Sequence, residues 1–516
     1  MSLSRRRFLS QSLYAGATLG TIGLFGAPAI VVAETRRPAL THGVMSGDVL
    51  PGRAMLWSRS DRPARMMLEL ADNPEFRNAR RLVGPTAMPV NDYTTKLDVT
   101  GLGDLEALHY RVRYAALGDE QALSEPVVGQ LRLPPSQSRN VRFVWSGDTV
   151  GQGWGINPDL GGMRIYETMR QVKPDFFIHS GDTIYADGPL EERVALEDEA
   201  TWKNIVTPAK AKVAETLDEY RGQYSYNLLD ENLRRFNAEV PMFAQWDDHE
   251  TVNNWYPGEI LDDPRYTEKN VSLLNARARH AFMEYMPVRQ TPDAPERMYR
   301  RFTYGPDLEI FRLDMRSYRG GNSTNRQSVS DDSTAILGDA QLQWLLDGLR
   351  RSQATWKIVA ADMPLGLVVK DGERYEAVAN ADPGRPLGRE QEIARLLEAL
   401  HQANVQNVVW LTADVHYTAA HHYSPERASF QNFTPFWEFV SGPLNAGTFG
   451  PGELDATFGP EAVFTKAPPP GQANLPPSAG YQFFGQVDLD AESRELTVTL
   501  KDTAGLALFE KRLTPA

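Results

Sequence analysis

The chain contains no cysteine. That excludes disulfides, thiolate nucleophiles and cysteine-ligated zinc or iron–sulfur centres together, and it leaves redox chemistry silent about the compartment. Clustered positive charge is also lacking: 54 Lys and Arg stand against 67 Asp and Glu, a formal charge of −13. A nucleic-acid backbone calls for the opposite balance, so nucleic acid is not expected as a specific partner. Small anionic substrates stay compatible, because a bound cation inverts the local field. Beyond residue 33 no stretch supplies about eighteen consecutive apolar residues, so no stable membrane span is expected in the mature protein.

What is present starts with the N-terminus. The basic "SLSRRRFLS" runs into the apolar, small-residue stretch "LYAGATLGTIGLFGAPAIVVA", with Ala27, Ala29 and Ala33 near its end. A basic segment, an apolar segment and small residues describe an export signal over residues 1–33. The arginines before Phe8 and Leu9 resemble the twin-arginine type, which carries folded proteins across the bacterial inner membrane. The expectation is a bacterial protein, periplasmic or secreted, that uses the twin-arginine export machinery. An uncleaved anchor is disfavoured by the Gly- and Ala-rich composition of the run.

At 516 residues, 41% hydrophobic and 23% charged, the chain is long enough for two folded domains. Residues 39–133 read as short strands and turns, such as "ARMMLELA", "TTKLDVTGL" and the alternating "EALHYRVRYAA". They predict a small β-sandwich in which His42 and His109 are structural. "LPP" at Leu133–Pro135 reads as a stiff linker. From residue 140 to 516 the texture changes. Apolar runs ending on acids ("VRFVWSGD", "PDFFIHSGD", "VPMFAQWDDHE", "DLEIFRLDMRS", "TWKIVAADMP", "VQNVVWLTADVH") alternate with amphipathic helical stretches. That is the pattern of a layered α/β domain, whose useful residues lie just past the carboxyl ends of its strands. The tail from Gln482 predicts two or three antiparallel strands that extend the main sheet or build another. Residues 442–477, rich in Gly and Pro, predict an irregular loop.

Four strand ends carry the chemistry: Asp148; Asp182 with Tyr185; Asp248 with His249; and Asp414 with His416. A single Gly-Asp after a strand is ordinary turn chemistry. Acids ending four strands of one sheet are different, because carboxylates converging on one rim repel one another and a metal relieves the repulsion. The mostly oxygen donor set suits Fe(III), Mn(II), Ca(II) or Mg(II), with zinc less favoured. A phenolate from Tyr185 points more narrowly to ferric iron.

With "SGDTIYAD", "WDDHETVNNW", "FRLDMRSYR", "LGDAQLQWL" and "TADVH" in this order, the chain resembles the PhoD-like alkaline phosphatases, within the calcineurin-like metallophosphoesterases. The resemblance implies an exported alkaline phosphatase with a four-layer αββα catalytic domain and an iron–calcium centre. It places Asp182 as the bridging carboxylate, Tyr185 as a tyrosinate on iron, and Asp414 and His416 as a metal-binding pair. It puts His249 near the leaving group, with either Asp248 or Asn253 on the second metal. Asp148 stands where known members carry cysteine, which leaves the identity of the metal open. The expected reaction is attack of a metal-bound hydroxide on phosphate esters, mainly monoesters with some diesters. Arg316, and beside it Arg319, are expected either to clamp phosphoryl oxygens or to form packing ion pairs. Two other readings remain: a phosphodiesterase or phosphotriesterase on the same site, and a non-catalytic binder of phosphate or polyanions.

Overall fold

The computed structural model describes residues 37–103, 107–196 and 200–516. The export-signal expectation falls on residues 1–33, outside the described residues.

Two sheets face each other. One has nine strands, in the order Ala507–Leu513, Leu496–Asp502, Phe483–Leu489, Val141–Ser146, Phe176–Ser180, Met242–Gln245, Leu40–Leu50, Arg53–Ser60 and Thr94–Thr100. The other has seven: Arg300–Thr303, Leu308–Arg312, Trp356–Ala360, Val408–Thr412, Phe436–Val440, Thr418–Tyr423 and Pro460–Lys466. Both are parallel at their centres and antiparallel towards their edges. The central strands are apolar almost throughout because both of their faces are covered. Trp145, Ile178 and Phe243 on one sheet pack against the same core as Ile310, Ile358, Leu411 and Phe439 on the other.

Helices close the outer faces. Arg164–Gln171, Leu217–Asn227, Glu231–Glu239 and Val271–Tyr285 bury Ile165, Tyr220, Phe236 and Phe282 against the nine-stranded sheet. Asp339–Arg351 and Glu390–Gln402 bury Leu345 and Leu397 against the seven-stranded one. The amphipathic helical stretches expected between the apolar runs are present as these helices. Glu231–Glu239 starts where the Asp230 side chain accepts the N–H of Leu233, an N-cap signal that its short apolar pattern obscured. The layers are helix, sheet, sheet and helix, the αββα sandwich expected. Among the described residues no helix is long and apolar enough to cross a membrane.

The N-terminal β-rich region shares a sheet with the strands beyond residue 140. Strands Ala64–Ala71, Arg80–Ala87, Ala107–Ala116, Asp119–Leu123 and Val127–Arg132 form a separate five-stranded sheet. Leu40–Leu50 instead pairs in parallel with Met242–Gln245 through Gly47 and Met242. The C-terminal strands extend the main sheet, with Phe483–Leu489 antiparallel to Val141–Ser146. Within 442–477, expected to be irregular throughout, Pro460–Lys466 is an edge strand on Thr418–Tyr423. Its short β-favouring run was hidden by flanking Gly and Pro.

Removing residues 1–135 would strip Leu40–Leu50 from Met242–Gln245 and lay open the hydrogen-bonding edge of a strand that ends in Asp247, Asp248 and His249. We expect the truncated chain to lose cooperative melting and to retain no metal. A cooperative melt with full metal content would show that this edge needs no cover.

Candidate metal centre

The four strand ends expected on one sheet come from two: Val141–Ser146, Phe176–Ser180 and Met242–Gln245 of one sheet, and Val408–Thr412 of the other, deliver their terminal residues to one rim because the sheets face each other. The turns are sharp. Asp148, Asp182, Asp414 and His416 have φ of 68°, 51°, 65° and 59°, left-handed values that non-glycine residues seldom adopt. Such conformations cost on the order of 1 kcal/mol or more each and persist where packing over-determines them. Here the turns hold one another. Asp148 donates its N–H to the Gly181 carbonyl at 3.2 Å, and Thr149 to the Asp182 carbonyl at 2.7 Å. The Trp145 indole donates to the Thr412 carbonyl at 3.2 Å, tying the two sheets just below the rim.

Three groups of possible ligand atoms result, each lying within 4.8 Å of one another: Asp148, Asp182 and His416; Asp182, Asp248 and His249; and Asp247, Asp248 and Asp414. Asp182 belongs to the first two groups and Asp248 to the last two. In the first, the Tyr185 hydroxyl lies 2.8 Å from His416 Nε2, which is 3.5 Å from Asp148 Oδ1. His416 Nδ1 donates to the Gly447 carbonyl, so the lone pair sits on Nε2 and faces Tyr185 and Asp148. In the second, His249 Nδ1 donates to Asp187 Oδ1 at 2.7 Å, so that Nε2 is the ring nitrogen not engaged by Asp187. The His249 N–H reaches Asp182 Oδ1 at 3.2 Å, and Asp248 Oδ2 accepts the N–H of Asn254 at 2.6 Å. The Tyr185 and His249 rings lie 4.2 Å apart. Asn253 is exposed beside this group, its backbone N–H on Asp187 Oδ2 at 2.9 Å.

Arg316 lies within the third group, fully buried. Its guanidinium bonds Asp247 and Glu376, with Asp414 at 3.5 Å, Asp362 at 3.7 Å and Asp248 at 3.9 Å. It is the internal counterion of the acids around it. Arg319 is buried beside it, on the Glu376 carbonyl and Asn322.

One guanidinium does not balance the rim. Burial, with Asp414 nearby, pushes the Asp148 carboxyl well above its ordinary range, and burial with Asp248, Glu250 and Asp148 does the same to Asp182. Burial and Glu376 raise Asp414 to about 8, and burial raises the Tyr185 phenol, with Asp182 and Asp148 adding to it. Burial lowers His416 to about 4, so its imidazole is neutral and free to ligate. His249 is opposite in sense. Burial works against its charge, but Asp187, Asp248 and Asp182 outweigh it and hold the imidazolium well above the ordinary value. A set of carboxylates that resist ionisation together is what bound cations stabilise in ionised form. Asp148 Oδ2 is buried without a hydrogen-bond partner, a free ligand atom. The residues therefore fit a metal centre.

Sequence reasoning missed Asp187, Asp247, Glu250, Asp362 and Glu376. Asp187 and Glu250 close the motifs "IYAD" and "WDDHE", so their motif positions were a usable signal. Glu376 lies 60 residues from Arg316, and only the fold brings it there.

Gly442 has no room for a side chain, because a Cβ there would meet the Asp148 carboxylate well inside van der Waals contact. Gly442→Ala should displace Asp148 and weaken metal retention roughly 10–100-fold. Metal analysis after dialysis against graded chelator checks this, and wild-type retention would contradict it.

The PhoD-like phosphatase family matches residues 143–500, and the family's N-terminal domain matches residues 26–135. The chain is 29% identical over 434 residues to alkaline phosphatase D of Bacillus subtilis, spanning 80% of this chain and 70% of that protein. A solved structure of PhoD superposes with a TM-score of 0.68 at 22% identity, covering 92% of both chains. A purple acid phosphatase from yellow lupin (Lupinus luteus) seeds superposes at 0.54 and 12% identity, over 93% of this chain and 74% of that one. The chain belongs to the PhoD-like phosphatase family and is a phosphoester hydrolase of the alkaline phosphatase type.

Proposed function

We propose that this enzyme hydrolyses mainly phosphate monoesters, accepting some diesters, at a centre of two cations that share Asp182. The carrying observation is that Asp182 belongs to two groups at once, one with Asp148 and His416 and one with Asp248, in which the neighbouring charged His249 is a proton carrier and not a ligand. Asp148, Asp182, Tyr185 and His416 would hold the first cation, and the phenol favours Fe(III) there. Asp182 and Asp248, joined by Asn253 or by water, would hold the second, where an oxygen set suits Ca(II) and admits Mn(II) or Mg(II). Bound cations supply Lewis-acid polarisation of the phosphoryl group and activation of water near neutral pH.

The chain's own residues handle position and protons. His249, held in its charged form, would offer the Nε2 proton to the leaving oxygen of the ester. Asp187 accepts from Nδ1, fixing the ring's orientation and favouring its charged form. Arg316 keeps Asp248 and Asp414 from repelling one another. The residues 1–33, read as a twin-arginine signal, support a periplasmic or secreted site of action for a protein loaded and folded before export.

The test is hydrolysis of an aryl phosphate monoester and diester from about pH 6 to about pH 10, before and after metal removal. Preference for the monoester, abolished by chelation and by Asp182→Asn, supports the reading. Turnover that survives complete metal removal would contradict it.

Asp187→Asn removes a carboxylate that favours protonated His249. The imidazole pKa then falls, and the acid form is lost at lower pH. The alkaline limb of the kcat/KM profile should move down by about one unit. An unmoved limb would show that His249 is not the group titrating there.

A further inference from the structure

Glu250 follows His249 in the third strand-end turn, and neither the cation ligands nor the proton donor includes it. Its side chain is fully buried. Oε1 accepts the N–H of Thr183 at 2.6 Å, and Oε2 accepts those of Asp182 at 3.1 Å and Asp247 at 2.8 Å. The donors belong to two loops. Asp182 and Thr183 follow Gly181, whose φ is 102°, and Asp182 itself is left-handed at 51°. Consecutive N–H groups turned to one side make a concavity that binds anions. The Glu250 carboxylate fills it from the loop of the neighbouring strand.

Building on the two-cation reading, we propose that Glu250 is a positioning residue. Its carboxylate clips the Gly181–Thr183 turn to the Asp247–His249 turn and fixes Asp182 where both ligand groups share it. Burial raises the Glu250 carboxyl to about 7, and three N–H groups converging on it favour the ionised form against that burial. All three here come from the main chain, so the clip acts on loop shape directly. Without it, the Asp182 turn would rest on the Asp148 turn, on Asn227 Nδ2 at the Thr183 carbonyl and on the longer His249 N–H bond to Asp182 Oδ1, and the two ligand groups would be held less firmly at their distance.

The experiment compares wild type, Glu250→Gln, Glu250→Asp and Leu68→Ala as purified holoenzymes. Glutamine keeps the size but turns an NH2 group towards N–H donors. Aspartate keeps the charge but shortens the reach, and it is read alone if the glutamine variant does not fold. Leu68 is buried in the five-stranded sheet and serves as a destabilised control. Metal bound per chain is measured against rising chelator, with Tm recorded for each variant. We expect the Glu250 variants to release half their metal at roughly 10–100-fold less chelator than wild type, with Leu68→Ala unchanged. Excess cation should restore turnover only in the Glu250 variants. Wild-type retention in the Glu250 variants, or metal loss matched by Leu68→Ala at equal Tm, would overturn the proposal while leaving the two-cation reading intact. A wild-type enzyme that binds no metal would overturn both.

Discussion

The structure depends on crowding negative charge where water is scarce. Asp148, Asp182, Asp247, Asp248 and Asp362 are buried and Asp414 nearly so, all at the carboxyl ends of two facing sheets. Taking an ionised carboxylate out of water costs several kcal/mol, and like charges nearby add to it. Arg316 offsets part of this for Asp247, Asp248 and Asp414. Asp148 and Asp182 lie away from it, beside the neutral His416 imidazole, the Tyr185 phenol and the unpaired Asp148 Oδ2, with the His249 imidazolium as the one protein charge that counters them. A guanidinium balances one side of the rim, whereas on the other the single His249 imidazolium leaves Asp148 and Asp182 still raised well above their ordinary range. The left-handed turns, the cross-linked loops and the glycine against Asp148 all serve to hold acids in an arrangement that they would otherwise escape.

The sandwich makes this geometry possible. Parallel strands covered on both faces can be apolar throughout, so each strand end projects from a rigid layer. Two such sheets packed on a common core bring Asp414 and His416 opposite Asp148 and Asp182. The N-terminal strand beside Met242–Gln245 extends the same layer, so the β-rich region buttresses the loop that carries Asp248 and His249.

Much of this was legible in the sequence. Apolar runs ending in Gly-Asp or in acid clusters marked the strands and the side of the sheet that matters, because strand burial and strand-end chemistry are both local patterns. The motifs "SGDTIYAD" and "WDDHE" placed the ligand candidates in groups that the fold brings together. What stayed hidden depends on long-range contact. The Gly442 approach to Asp148 and the pairing of Glu376 with Arg316 join residues far apart in the chain. The pairing of Leu40–Leu50 with Met242–Gln245 is equally non-local, and alternation alone could only suggest a sandwich. Arg316 shows the limit well: its position after a strand suits a phosphate clamp or an ion pair equally, and its burial among carboxylates is visible only in three dimensions. Asp187 was within reach, two residues after Tyr185, but its partner His249 comes from another strand.

The central claim is that two cations sit on this rim and share Asp182. Anomalous diffraction from crystals of the natively produced enzyme, collected on both sides of the iron absorption edge, tests it most directly. The account predicts two peaks flanking the Asp182 carboxylate, the one beside Asp148, Tyr185 and His416 strengthening above the edge. No peak at Asp182, or a single cation bound among Asp247, Asp248 and Asp414 alone, would contradict it.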